Sequence, residues 1–227
     1  MKIDIISAVP DLLISPLTNS IPKRAVNKGL VEINFHNLHE FGTGKYQQID
    51  DSPFGGGAGM VLMPEPLAQC IESLKKYTTY NEIIYLTPDG ETFDQKMANS
   101  LSLVDNLIFI CGHYKGIDQR IRDIYVTKEI SLGDFVLSGG EIAACAIVDA
   151  IVRLIPGVIG NEESALSDSF QDNLLAPPLY TRPETFQDLT VPGVLLSGNH
   201  KLIDEWRFEQ SIERTEKLRP DLLKNKE

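Results

Sequence analysis

Hydrophobic and polar positions in the first half of the chain alternate between two periods. Ile3–Val9, Val31–His36, Glu82–Leu86 and Asn106–Cys111 are short, branched-rich or apolar runs with polar edges, the pattern of strands. Between them the spacing becomes helical. Pro64–Lys76 sets Leu67, Ile71 and Leu74 on one face, with proline near its start, where a missing N–H costs nothing. Thr92–Leu103 opens on Thr92-x-x-Gln95, a capping-box pattern. Ser138-x-x-Glu141 repeats that pattern ahead of an apolar run that predicts a helix to about Leu154, stopped before Pro156-Gly157. Strands alternating with helices predict an α/β fold: a mostly parallel sheet covered by helices on both faces.

After Gly160 the texture changes. Residues 161–183 are polar and then broken by prolines, which reads as a linker or mobile loop. Residues 200–227 read as helical, with Leu202, Trp206 and Ile212 on or near one side. The expected organisation is an α/β domain over 1–160, a linker over 161–176 and a small helical domain over 177–227. No internal repeat and no low-complexity tract interrupts it.

Composition adds limits. Hydrophobic residues make up 42% and charged residues 23% of the 227, ordinary for a soluble globular protein. No apolar run approaches the ~20 residues that cross a bilayer, and MKIDIISAVPDLL reads as a buried strand rather than a signal peptide. Cys70, Cys111 and Cys145 are far apart, form no C-x-x-C pair and fall in apolar segments, so they read as core thiols in a reducing cytoplasm. The net charge of −11 argues against a general nucleic-acid binder. Yet residues 200–227 carry seven basic and seven acidic side chains, so that tail is neutral and can present one basic face, to which Arg182 adds.

The candidate chemistry lies in three glycine-bearing turns, each following a strand-like run: Leu86-Thr87-Pro88-Asp89-Gly90, Cys111 to Gly116, and Leu132 to Gly140. In open α/β sheets ligands bind beyond the carboxyl ends of the strands. Glycines let backbone come close to a flat ring, and Leu86, Leu132 and Leu137 can sandwich its faces. No lysine or arginine follows the glycines of SLGDFVLSGGE, and Asp134 sits among them, so the ligand suggested is a nucleoside without phosphates. Ordinary tight turns are the alternative. The chain has neither a P-loop nor a dinucleotide fingerprint. Gly55–Gly59 has no strand-like run before it and reads as a flexible loop or a backbone surface for a ligand. His36 and His39 have no partners to complete a zinc set, and His113 and His200 are general-base candidates by residue type. Asp168, in a polar loop that packing does not require, is the best acid candidate. Arg153 either caps a helix C-terminus or faces the pocket as an electrophile.

The ordered segments DDSPFGGGAGM, YLTPDG, CGHYKGIDQRI, SLGDFVLSGGE, RLIPGVIG, DSF, YTRPE and VPGVLLSGNHKLIDEWR span nearly the whole chain. With them it resembles the bacterial tRNA (guanine-N1)-methyltransferases of the TrmD type, in the SPOUT class. That resemblance implies an α/β domain with a deep trefoil knot, which pattern reasoning alone would have excluded. It implies a homodimer whose sites are completed by the partner chain, and methyl transfer from S-adenosylmethionine to N1 of guanosine 37, in the anticodon loop of tRNA. The cofactor would be held by Leu86, Thr87, Pro88 and Gly90; by Gly112, Tyr114 and Gly116; and by Leu132, Gly133, Asp134, Phe135, Val136, Leu137, Gly139 and Gly140. Asp168 would be the general base and Arg153 the stabiliser of charge on guanine O6, with Ser169, Arg182 and His200 as substrate contacts. Many relatives have arginine, glutamate, tyrosine and proline where this chain has His113, Lys115, Phe135 and Ala143. No metal ligand is assigned: the family's link to Mg2+ meets a lysine at 115, and an ammonium cannot ligate a cation.

Overall fold

The computed structural model describes residues 1–160 and 168–224. It divides into two compact units, Met1–Gly160 and Asn161–Glu227. The strands of the first unit are β1 (Lys2–Ser7), β2 (Glu32–Asn37), β3 (Asp50–Asp51), β4 (Val61–Leu62), β5 (Glu82–Thr92), β6 (Asn106–Cys111) and β7 (Lys128–Ser131). Its helices are α1 (Asp11–Leu17), α2 (Ser20–Asn27), α3 (Pro64–Lys75), α4 (Gln95–Ser102), α5 (Gln119–Tyr125) and α6 (Glu141–Val152). Five strands pair in the order β2-β1-β6-β5-β7, every pair parallel. The expected α/β architecture is therefore present.

Strand alternation sorts the core into two layers. Ile3, Ile5, Leu107, Phe109 and Ile84 pack on one face against α1, α2, α4 and α6. Ile6, Ile108, Ile110 and Ile83 pack on the other face against Leu67, Cys70 and Ile71 of α3 and Ile121 of α5. Each such burial stabilises by about 1.5–3 kcal/mol. Cys70 and Cys111 are buried and Cys145 is half-buried, and all three are free thiols. Burial pushes the Cys70 thiol up to about 12 and that of Cys145 up to about 11.

Several local expectations are corrected. The cap of α4 is Asp94, whose side chain accepts from Met97 N–H, rather than Thr92, which ends β5. No capping box opens α6: Gly140 is its N-cap, and the Glu141 carboxylate accepts from Ser7 Oγ at 2.7 Å. Gly55–Gly59 does follow a strand, because β3 and β4 pair antiparallel around it. Gly55, Gly56, Gly57 and Gly59 all take left-handed φ, which explains the glycines.

The described part of the second unit holds a two-residue hairpin of β8 (Thr185–Phe186) and β9 (Leu189–Thr190), then α7 (Gly193–Leu196), α8 (His200–Leu218) and α9 (Asp221–Lys224). Asn199 caps α8 through Leu202 N–H. The buried stripe of α8 is Ile203, Ser211 and Thr215, one step round from the expected face, and Leu202 is exposed. Its basic side chains interleave with acids, as in Lys201–Glu205 at 3.9 Å and Arg207–Asp204 at 3.5 Å. Within residues 168–176, part of the stretch read as a linker, Leu175 N–H donates to Thr215 Oγ1 on α8. Residues 161–167 of that stretch lie outside the described residues.

Candidate active site

The strand order makes β6, β5 and β7 consecutive neighbours, so the turns after them leave the sheet side by side. The first turn is a bulge. Leu86 and Glu91 of β5 both pair with Ile130, so Thr87–Gly90 stand out of the ladder. A Cβ on Gly90 would lie 2.6 Å from the backbone of Glu129 and Ile130, so only glycine lets the bulge rejoin β7. The second turn, after β6, uses left-handed Tyr114 and open-angled Gly116. It is held from outside: Lys115 N–H donates to Met60 O, and Leu62 N–H donates to Gly116 O, both at 3.0 Å.

The third turn, after β7, lies backbone to backbone on the second. His113 and Gly139 form an antiparallel bridge, and Gly140 N–H donates to Gly112 O at 2.8 Å. A Cβ on Gly140 would come within 2.8 Å of Cys111 Cα, so this approach demands glycine.

Together the turns enclose a cavity of about 260 Å³. Leu86, Thr87, Pro88, Gly112, Tyr114, Gly116, Leu132, Phe135, Val136, Leu137, Gly139 and Gly140 form its walls. Gly90, Gly133 and Asp134 do not: Gly90 serves the join to β7, and Asp134 is exposed. Sequence reasoning missed Tyr85, Ile130, Ser131 and Ala143 as walls. They sit at strand ends and a helix start, just outside the three glycine-bearing turns on which the sequence reading rested.

The charged groups on the walls are few. Lys115 is one, and His113 brings Nδ1 to 3.6 Å from Glu141 Oε2. The Glu141 carboxylate is buried at the positive end of α6 and is stabilised there by that helix and by Ser7. Burial raises the Tyr85 hydroxyl, which therefore stays protonated at neutral pH. The cavity thus offers backbone amides, leucine faces and little positive charge. That suits a neutral flat ring better than a phosphate chain.

Comparison with known proteins agrees with the motifs. The profile of the family described as tRNA (Guanine-1)-methyltransferase TrmD matches residues 1–225. Proteins named tRNA (guanine-N(1)-)-methyltransferase from Christiangramia forsetii and Bacteroides thetaiotaomicron are 63% and 59% identical to it. The first alignment covers 98% of this chain and 99% of the relative; the second covers 99% and 100%. A third such protein, from Chlorobaculum tepidum, is 57% identical over 98% of this chain and 97% of its own. The chain belongs to the TrmD family of tRNA (guanine-1)-methyltransferases.

The two residues to which the family resemblance gives the chemistry fall in different units. Arg153 ends α6 in the first unit, its N–H donating to Asp149 O at 3.1 Å. Asp168 is half-buried in the second unit. Its neighbour Ser169 accepts from Ala176 N–H at 2.9 Å, and Phe170, left-handed, closes the turn onto Leu174 O. Arg182 and His200 are exposed in the second unit, His200 as the first residue of α8. Among the described residues no group of three or more His, Cys, Asp and Glu is placed to hold a metal ion. No helix among them is long and apolar enough to cross a membrane.

Proposed function

We propose that the protein transfers a methyl group from S-adenosylmethionine to N1 of guanosine 37 in tRNA, working in the cytoplasm as a homodimer. The observation that carries this reading is the cavity formed by three glycine turns in a chain matched to the family over residues 1–225. The residues fit the donor. Where side chains would crowd an adenosine, Gly112, Gly139 and Gly140 leave backbone, and Leu86, Leu132 and Leu137 supply apolar faces. S-adenosylmethionine supplies a methyl group on a sulfonium, and the thioether left behind is neutral and needs no acid.

The chain's own work is then on the base. Guanine N1 carries a proton and is a poor nucleophile until that proton leaves. Asp168 takes it as general base. The negative charge that moves onto O6 is held by the Arg153 guanidinium, an electrostatic effect worth several kcal/mol. The rest of the rate comes from holding N1 in line with the methyl group. Dimerisation is supported by exposed apolar side chains: Leu12 on α1, Ile142 on α6, and Phe135 and Val136 of the third turn.

The test uses radiolabelled S-adenosylmethionine and two tRNA transcripts, one with guanosine and one with adenosine at position 37. The reading requires label on the first alone, recovered as 1-methylguanosine. Binding of the donor with transfer to neither transcript would make the protein a sensor. Label on another atom would make it a methyltransferase of different specificity.

A further inference from the structure

Outside the cavity, one side chain ties together β5 and β7, which carry the first and third turns. Arg122, in the last turn of α5, donates through Nε and Nη2 to the two oxygens of Glu129, at 2.7 and 2.5 Å. Its Nη2 also donates to Asp89 Oδ2 at 2.8 Å. The guanidinium lies 5.3 Å from the centre of the Tyr85 ring. Asp89 and Tyr85 belong to β5 and Glu129 to β7. Asp89 is in the bulge of β5 and accepts from the hydroxyl of Thr87, which faces the cavity. Glu129 is on β7, directly before Ile130 and Ser131, which line the cavity at the start of the third turn. Tyr85 holds its hydroxyl under the second turn, where Cβ atoms on Gly112 and Gly116 would lie 3.0 and 3.2 Å from it.

The physical case rests on the bulge. Thr87–Gly90 are not held by ladder hydrogen bonds to β7, so their shape must come from elsewhere. A bidentate pair between a guanidinium and a carboxylate is among the stronger protein contacts, and it fixes direction as well as distance. The Arg122 side chain is 21% exposed and that of Glu129 31%, so water screens this pair partially; Asp89, at 61%, is screened more. The guanidinium beside it, after the Thr87 hydroxyl, holds the Asp89 carboxyl below its ordinary value. A lysine could neutralise one carboxylate but could not span both and stack on the ring.

We propose that Arg122 is a positioning residue for the methyl donor: through Asp89 and Thr87 it holds the bulge in the shape of the cavity wall. It sets the donor's affinity and leaves the transfer step nearly untouched. This rests on the reading of the cavity as the S-adenosylmethionine site.

The experiment measures the Kd of S-adenosylmethionine by calorimetry, and KM and kcat on the guanosine-37 transcript. The proteins are the wild type, Arg122→Met, Arg122→Lys, Asp89→Asn and the Arg122→Met/Asp89→Asn double variant. Arg122→Met should raise the donor's Kd and KM about tenfold, the usual scale for a lost charged hydrogen bond. Its kcat at saturating donor and its KM for tRNA should stay within about twofold of wild type. Arg122→Lys should recover part of the affinity, and the double variant should bind no more weakly than Arg122→Met alone, because both changes cut one chain of contacts. Unchanged donor Kd in a folded variant overturns the proposal, as does a fall in kcat with Kd intact, or single effects that multiply in the double variant. If Arg122→Met fails to fold, Arg122→Lys and Asp89→Asn decide by the same criteria. A wild type that binds no S-adenosylmethionine overturns the functional reading itself, and is seen before any variant is made.

Discussion

Asp4 shows what a single residue can hide. In the sequence it interrupts an isoleucine run at the start of β1. In the fold it has no exposed surface and collects donors from far along the chain: Tyr80 Oη at 2.7 Å, His36 Nε2 at 2.8 Å and Asn34 Nδ2 at 3.1 Å, with Lys2 Nζ at 3.6 Å. This also gives His36 its place, a packing role as Asp4's partner rather than a metal ligand's. Burial alone would raise the Asp4 carboxyl, but its hydrogen bonds and Lys2 more than offset that and hold it below the ordinary value. A carboxylate depressed in the folded state stabilises the protein above the unfolded value, ~3.9. That contribution is lost as pH falls from there through the folded value. Asp4→Asn presents one acceptor oxygen to donors that used two. Urea denaturation at neutral pH should show a loss of about 3 kcal/mol, and stability should fall less steeply with pH below about 4 than in the wild type. Equal acid limbs for the two proteins would show that Asp4 is not the titrating group. Asp4's role was illegible because its partners lie up to 76 residues away.

At the scale of elements, legibility followed local chemistry. β1, β6, α3 and α6 were readable because each buries a regular apolar pattern, β2 because Ile33 and Phe35 alternate against the core, and the three turns from their glycines. α1 and α2 were missed because Pro16 and Pro22 lie within them and disguise the period. The bulge of β5 was missed because register is a property of a strand pair, and TPDG reads alone as a turn. The cap of α6 went wrong because a tertiary contact with Ser7 takes up Glu141, and that of α4 because Asp94, two residues on from Thr92, caps instead. α6 is apolar almost all round, with Ala143, Ala144, Ile147, Val148, Ile151 and Val152 buried and Ile142 left 61% exposed. A helix apolar on its outer side needs a cover, and in the proposed homodimer a second copy of the chain would be that cover. Ile142→Glu should shift the sedimenting species from dimer to monomer at ~1 μM and remove methyl transfer, while the circular-dichroism spectrum stays that of a folded α/β protein. A wild type that sediments as a monomer at that concentration would rule this interface out.

For the molecule as a whole, the proposed function divides the labour between the two units. Residues 1–160 build the cavity proposed for the donor from strand ends and glycine turns, and the second unit carries Asp168, the proposed base. The cavity could be anticipated because its parts are three compact motifs beyond consecutive strands. Asp168 stood out as an acid in a polar loop that packing does not require, but its proposed role as base came only from resemblance, since the loop names no substrate. The division makes a sharp demand: binding and turnover must separate. The measurement is the S-adenosylmethionine Kd and the single-turnover methylation rate, taken side by side for wild type and Asp168→Ala. The account predicts a rate lower by on the order of 10²–10⁴-fold with the donor's Kd within about twofold. A loss of donor affinity as large as the loss of rate would contradict it.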